Sequence, residues 1–165
     1  MGDPRLSLPN CRLPQNLRRV RPWPEFDENG DLPPGLYPAT LPEVISHFGS
    51  ATPARQRVGR RLEHIYRLAV ASGHLARFVI FGSFITAKPA PNDVDIFVLM
   101  GNDFDVSRLP NGIRIIFDHS AAQSLLGASV FWIRRAAALG GEEAAVRYWQ
   151  VTRAGQQRGI VEVTQ

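Results

Sequence analysis

The stretch that decides the fold is residues 78–100, FVIFGSFITAKPAPNDVDIFVLM. Its apolar run Phe78–Phe81 predicts a short strand, and Gly82-Ser83 predicts the tight turn that ends it. A short helix or loop should follow. The second apolar run carries two aspartates and predicts another strand, which ends near Met100.

Asp93 and Asp95 are separated by one apolar residue. Side chains alternate between the two faces of a strand, so both carboxylates should project from the same side. At a separation of roughly 7 Å and an effective dielectric of about 20, their repulsion is on the order of 2 kcal/mol. A cation would relieve it, and Mg²⁺ prefers such hard oxygen ligands. The pair therefore predicts a magnesium site.

Length and composition indicate one soluble globular domain. The chain has 165 residues, of which 44% are hydrophobic and 21% charged. No stretch reaches the 18 or more apolar residues of a membrane helix, and the first residues lack the apolar core of a signal peptide. We therefore expect a cytoplasmic protein with no membrane partner. The single cysteine, Cys11, excludes an internal disulfide and a cysteine-rich zinc site.

The net charge of +4 comes from one segment. Residues 1–22 contain five arginines and one acid, 5 − 1 = +4, and the remaining 14 bases and 14 acids cancel. Residues 1–24 are rich in proline and arginine and have no apolar period, so we expect a flexible basic tail, either solvated or touching anionic partners. Residues 25–165 should form a single domain that begins with a loop-rich segment, 25–40.

Two helices should precede the central stretch. Thr40 to Glu43 fit a capping box and predict a helix over 41–48, and Thr52-Pro53 opens a longer one, 53–72, closed by Gly73. The longer helix has an apolar stripe, Val58, Leu62, Ile65 and Ala69. Its opposite side carries Arg57, Arg60, Arg61, His64 and Arg67. That row is either a solvated face or a surface that binds phosphates.

After the central stretch, residues 113–117 predict a third strand and 120–126 a helix. Residues 129–133 are apolar and fit either a strand or the start of a helix, and Glu142-Glu143 suits the first turn of another helix. Residues 148–153 and 159–164 predict a C-terminal β-hairpin.

Three further acids follow the central stretch. Asp103 and Asp105 lie in a polar loop, which favours solvated or capping roles. Asp118 ends the predicted third strand and has two readings that do not exclude each other. It is either the N-cap of the next helix or a third acid facing Asp93 and Asp95.

The central turn has the parts of a phosphate site. Gly82 permits close approach of the backbone, and Ser83 offers a hydroxyl beside outward-facing backbone N–H groups. Asp93 and Asp95 would hold divalent metal against phosphate oxygens, and Asp118 is the best placed third acid. Lys88, the sole lysine, is either a phosphate contact or an exposed loop residue.

These residues resemble a known family. Phe81-Gly82-Ser83 followed by Asp93-Val94-Asp95-Ile96 is similar to the signature of the polymerase-β-type nucleotidyltransferase superfamily, especially the minimal members of prokaryotic toxin–antitoxin pairs. The motif covers about 20 residues, and the order of elements is similar over roughly 60–120. The resemblance implies an α+β fold: a nucleotidyltransferase-like mixed β-sheet flanked by helices.

The resemblance also implies roles and partners. Gly82 and Ser83 would contact a nucleoside triphosphate, whereas Asp93, Asp95 and Asp118 would ligate Mg²⁺, with two ions possible. The expected activity is transfer of a nucleoside monophosphate from an NTP to a hydroxyl of a protein or RNA, within a toxin–antitoxin system or outside one.

Two other functions fit the sequence. One is a non-catalytic module of the same fold that binds a nucleotide or a partner protein, such as the neutralising half of a two-gene pair. The other is a nucleic-acid binder that uses the tail and the arginine side of helix 53–72.

Overall fold

The computed structural model of the chain describes residues 23–164. Most of the predicted tail, including Cys11, lies outside the described residues. The strands are β1 (Gly35–Ala39), β2 (Leu75–Phe81), β3 (Val94–Met100), β4 (Ala128–Arg134) and β5 (Gly159–Val163). The α-helices are α1 (Leu41–Phe48), α2 (Pro53–Ala71), α3 (Asn111–Arg114), α4 (His119–Ala121) and α5 (Glu142–Arg147).

The strands form one mixed sheet in the order β1-β5-β2-β3-β4. β2 lies antiparallel to both β3 and β5, whereas β1 pairs parallel with β5 and β3 pairs parallel with β4. Helices flank this sheet. The prediction of an α+β fold with a mixed sheet is therefore confirmed at this level.

The central stretch folds as its pattern predicts. β2 and β3 are antiparallel neighbours, and the 3₁₀ turn Ser83–Ile85 begins the connection between them. β2 begins at Leu75, three residues before its predicted start. Phe81 lies opposite Asp95 at the end where the two strands meet the turn.

The two helices before the central stretch are confirmed. Thr40 caps α1 through a capping box, in which its backbone N–H donates to the Glu43 carboxylate at 2.7 Å. Thr52 caps α2, because its hydroxyl accepts from the Arg55 N–H at 3.2 Å. All four members of the predicted apolar stripe of α2 are buried: Val58, Leu62, Ile65 and Ala69.

Apolar residues cover both faces of the sheet. The stripe of α2 belongs to a large cluster with the β3 residues Val94, Ile96 and Val98. The alternate β3 residues Phe97 and Leu99 belong to a smaller cluster with Val79, Val146 and Ile160. Asp95 shares the alternation of Phe97 and Leu99, so it lies on the face of the smaller cluster.

The predicted third strand, residues 113–117, is wrong. The segment consists of α3 and the 3₁₀ turn Ile115–Phe117. Its neighbouring place in the sheet is taken by β4, which pairs with β3 along its whole length. An apolar run this short does not distinguish a strand from a buried helical turn, and Ile116 and Phe117 are buried without joining the sheet.

The ambiguous run 129–133 is a strand, and the helix predicted from 120 begins at His119. It continues as a π-helical turn, Ala122–Leu126, and ends at Gly127, as expected. The predicted helix start at Glu142 is also confirmed.

The predicted C-terminal hairpin does not form as a pair of strands. Its first arm begins with the 3₁₀ turn Tyr148–Gln150, and one antiparallel bridge, Val151 with Gln157, is the only ladder contact between the arms in the described residues. Its second arm, β5, pairs with β1 and β2.

The segment 25–40, which was predicted to be rich in loops, contains the strand β1. β1 includes Pro38, which has no N–H and is tolerated because β1 is at the sheet edge. In residues 23–164, no helix combines the length and the apolar character needed to cross a membrane.

Candidate functional site

Gly82 brings the backbone turn directly onto the acid pair. Its φ of 78° and ψ of −164° belong to a region that is essentially restricted to glycine. A β carbon at this position would overlap the carboxylate of Asp95. The predicted need for glycine is therefore confirmed, because conformation and space both exclude a side chain.

Ser83 and Lys88 lie on the connection that follows. The Ser83 carbonyl accepts from the Thr86 hydroxyl at 2.8 Å, whereas the Ser83 hydroxyl has no hydrogen-bond partner among residues 23–164. Lys88 is exposed, and its side chain makes no ion pair with the described residues. Both side chains are free to meet a ligand.

Arg55 holds this connection in place. Its buried guanidinium donates to the carbonyls of Phe48 and Phe84, both at 2.8 Å, to that of Lys88 at 2.6 Å, and to that of Thr86. Burial lowers the pKa of Arg55. One side chain thus ties α2 to the end of α1 and to the turn.

Arg55 is a residue that the sequence analysis missed. A signal was present, because Arg55 precedes Val58 by three positions and so continues the apolar stripe of α2 toward its N-terminus. An arginine in a stripe that faces the core needs buried acceptors, and backbone carbonyls of the turn supply them.

Asp93 and Asp95 lie at the start of β3 and act on each other electrostatically. The pKa of Asp95 is raised to about 6, first by burial and then by repulsion from Asp93. Arg158, Arg153 and a hydrogen bond with Ser129 lower it in part. The pair is therefore a carboxylate site that favours capture of positive charge, either a proton or a cation.

Two arginines in the segment before β5 act electrostatically on the acid pair. The positive charges of Arg158 and Arg153 both lower the pKa of Asp95. Arg158 is also 3.9 Å from Asp31, and its buried Nε has no hydrogen-bond partner in the described part of the chain. These two cations were not predicted as site residues, since their approach depends on the path of the C-terminal segment.

Aromatic side chains cover the sheet next to the acids. The Trp149 ring lies 4.5 Å from the ring of Phe81, 4.8 Å from that of Phe131 and 5.3 Å from that of Phe97, centroid to centroid. Phe131 remains 37% exposed. Phe81 of this cluster lies opposite Asp95 in the pairing of β2 with β3, and burial is the largest cause of the raised pKa of Asp95.

Asp118 is found as a helix cap. Its carboxylate accepts from the Ala121 N–H at 2.9 Å, and the residue is exposed. The capping role is therefore confirmed. Ser129, not an acid, lies opposite Asp95 on β4, and residues 23–164 contain no group of three or more His, Cys, Asp or Glu side chains arranged to hold a metal ion.

The two carboxylates of Asp93 and Asp95 are a suitable ligand set for Mg²⁺. Two carboxylates at one end of a strand suit Mg²⁺, which proteins usually hold by one or two carboxylates together with water and substrate phosphate oxygens. Asp93 and Asp95 are the residues that would hold it. They do not form the closed set of protein ligands that a structural zinc or calcium site requires.

The structure also locates the remaining acids and the basic side of α2. Asp105 caps the turn Val106–Arg108 by accepting from the Ser107 N–H, and Asp103 lies 3.3 Å from His74. The basic side chains of α2 lie at the surface, with Arg61 half-buried: Arg57, Arg60, Arg61, His64 and Arg67.

Comparison with known proteins identifies the family. The model of a family of unknown function, DUF6932, matches residues 24–164, which is most of the chain. The chain belongs to this family. No curated protein and no solved structure matches it.

Proposed function

We propose that this member of the DUF6932 family binds a nucleoside triphosphate with Mg²⁺ beside Asp93 and Asp95 and transfers the nucleoside monophosphate to a hydroxyl of a protein or RNA, releasing pyrophosphate. One observation carries the proposal. The glycine turn lies against the Asp95 carboxylate, so the two halves of the motif form one site. The sequence resemblance to polymerase-β-type nucleotidyltransferases supports the same conclusion.

Each group around the acids has a role in this proposal. Asp93 and Asp95 would hold Mg²⁺, which would supply positive charge to neutralise the charge that develops on the phosphate. The free hydroxyl of Ser83 would donate to a phosphate oxygen, and Arg153 and Arg158 would face the negative charge of the triphosphate. Lys88 is available for the same purpose from the connection.

Transfer to an acceptor also requires loss of the proton from the attacking hydroxyl. Asp118 was the predicted third acid for this step, and in the structure it caps α4. Asp95 is assigned to Mg²⁺ in this proposal, so it is not the general base. The proposal therefore places metal binding on the pair and leaves Asp118→Asn as a variant that tests its part in transfer.

The test uses labelled NTPs, Mg²⁺ and a cell lysate as the source of acceptors. We expect label on a protein or RNA band, its loss on chelation by EDTA, and its loss in Asp93→Asn/Asp95→Asn. The matched control is Asp103→Asn/Asp105→Asn, which removes two acids at the same spacing outside the site. Equal transfer by the Asp93→Asn/Asp95→Asn variant and the wild type would overturn the proposal.

A second candidate is a non-catalytic member of the fold that binds a nucleotide or a partner protein, such as the antitoxin-like half of a two-gene pair. The observation that favours it is Ser129 opposite Asp95, where an acid would complete a set of three. Calorimetric titration separates the two. Binding of a nucleotide without transfer, or metal-independent binding of a partner that survives loss of both aspartates, would favour this candidate.

A further inference from the structure

We infer that the groove between α2 and the turn Ala122–Leu126 binds single-stranded RNA through its phosphates. This inference does not depend on the proposed function. The groove has a volume of about 330 Å³. Its lining is Arg57, Arg60, Arg61, His64, Leu125 and Leu126.

Helix α2 carries a concentrated positive charge, although the net charge of the domain is zero. The helix has five arginines and one acid, Glu63, which is 5 − 1 = +4. Outside residues 1–22 the chain has no net charge. The positive charge of α2 is therefore balanced by acids in other parts of the domain and not by acids on the helix. A polyanion is the ligand class that this surface complements.

The arginines of the groove are left unpaired. Arg57 and Arg60 make neither an ion pair nor a side-chain hydrogen bond with any residue in 23–164, whereas Arg77 and Arg135 both pair with acids. Like charges on adjacent helical turns destabilise a helix. An anionic ligand in the groove would offset this repulsion.

The dimensions suit a nucleic-acid strand. From residue 57 to residue 64 the helix advances about 10 Å, which is the rise of about three nucleotides in a stacked strand. Leu125 is 70% exposed beside the arginines and offers an apolar surface for a base. In such a groove the guanidinium groups bind the phosphates of a single strand, and the adjacent apolar surface contacts its bases.

Arg61 connects the groove to the candidate site. Its Nη1 donates to the carbonyl of Asn92 at 2.9 Å, and Asn92 immediately precedes Asp93. Arg61 also packs on Gly127, where a β carbon would lie 2.6 Å from Nη1, and β4 begins at the next residue. The groove therefore lies at the end of the sheet where β3 and β4 begin, on the side of α2, whereas Asp95 lies on the opposite face.

The test is fluorescence anisotropy of a labelled oligouridine of about 12 nucleotides with the full chain, without NTP or Mg²⁺. We expect Arg57→Gln/Arg60→Gln to weaken binding by about 10-fold and to reduce the slope of log K against log salt by about 1.4. The matched control is Arg108→Gln/Arg147→Gln, two exposed arginines outside the groove, for which we expect less than about a 3-fold change.

Equal weakening by the two double variants would overturn the inference. So would an oligoglutamate of equal charge that binds as tightly and loses affinity in the same variant, since the groove would then fit an acidic peptide. Asp93→Asn/Asp95→Asn should still bind the oligouridine. Failure of nucleotide binding would therefore reject the proposed function without affecting this result.

Discussion

Gly82 shows how one residue carries two separate constraints. Its backbone has a conformation that side chains rarely adopt, and the place of its β carbon is taken by the Asp95 carboxylate. Either constraint alone would favour glycine. Together they connect the folding of the turn to the position of the acid.

Gly82→Ala should therefore destabilise the protein by about 3 kcal/mol or more, because it adds backbone strain and a clash with a carboxylate. Gly112→Ala is the matched control. Gly112 lies in α3 with no atom within 4 Å of its β-carbon position, so we expect a change between zero and about 1 kcal/mol in the stabilising direction. Urea unfolding of both variants measures the difference, and similar free energies would contradict the argument.

Asp95 makes stability depend on pH. The pKa of Asp95 is about 6 in the folded protein, above its ordinary value of 3.8, so the folded state binds more protons between these two pH values. Without metal, the free energy of unfolding should be highest below about pH 4 for this group and should fall as pH rises to about 6. The difference between the two pKa values corresponds to a change of at most about 3 kcal/mol in the free energy of unfolding. We expect about half of this change because the Asp95 carboxylate remains partly exposed to solvent.

Asp95→Asn should remove this dependence and leave the metal-free protein more stable than the wild type at about pH 7. Urea unfolding in EDTA at several pH values measures the effect, with Asp103→Asn as the control. A wild type that gains stability from about pH 4 to about pH 6, relative to Asp95→Asn, would contradict this reading.

At the scale of elements, three parts of α2 have different roles. Its stripe packs on the sheet, its N-terminal Arg55 anchors the turn after β2, and its outer side forms the basic groove. The helix therefore positions both the candidate nucleotide site and the candidate RNA surface.

Arg55→Met should destabilise the protein by about 2–4 kcal/mol, because it leaves buried carbonyls of α1 and the turn without donors. Arg57→Met, two positions along and exposed, should change stability by less than about 0.5 kcal/mol. Chemical unfolding compares them. Amide hydrogen exchange in residues 84–88 adds a local readout, and unchanged exchange in Arg55→Met would oppose the anchoring role.

At the scale of the whole molecule, β5 joins the two ends of the described chain to the centre. It lies between β1 and β2, so the last strand completes the sheet that the first strand begins. Arg77 on β2 donates to Glu162 on β5 at 2.6 Å and to Glu143 on α5 at 2.6 Å. Its hydrogen bonds with Glu162 are the largest cause that raises the pKa of Arg77.

Loss of the two carboxylates should therefore have unequal effects. The Glu162 side chain is 19% exposed and that of Glu143 is 66% exposed. We expect Glu162→Gln to cost about 1–3 kcal/mol and Glu143→Gln less than about 1 kcal/mol. Thermal unfolding of the pair tests this, and equal losses would show that burial does not govern the network.

The part of the fold that could be predicted is the part with local signals. The cap at Thr52 and the apolar stripe located α2, and the alternating pattern located β3, which contains Asp95 and begins directly after Asp93. The strand predicted over 113–117 failed because its apolar residues are buried by helical turns. β1 was missed because Pro38 is tolerated only at an edge that no local pattern reveals.

The sequence by itself determined the turn at Gly82, the acid pair and the helix before them, because each depends on residues within one or two turns of chain. Only the tertiary structure decided what surrounds them. Strand pairing placed Ser129 opposite Asp95, and the fold of the C-terminal segment lets the charges of Arg153 and Arg158 act on the Asp95 carboxylate. These interactions join residues far apart in the chain, so their energies have no signature in local sequence.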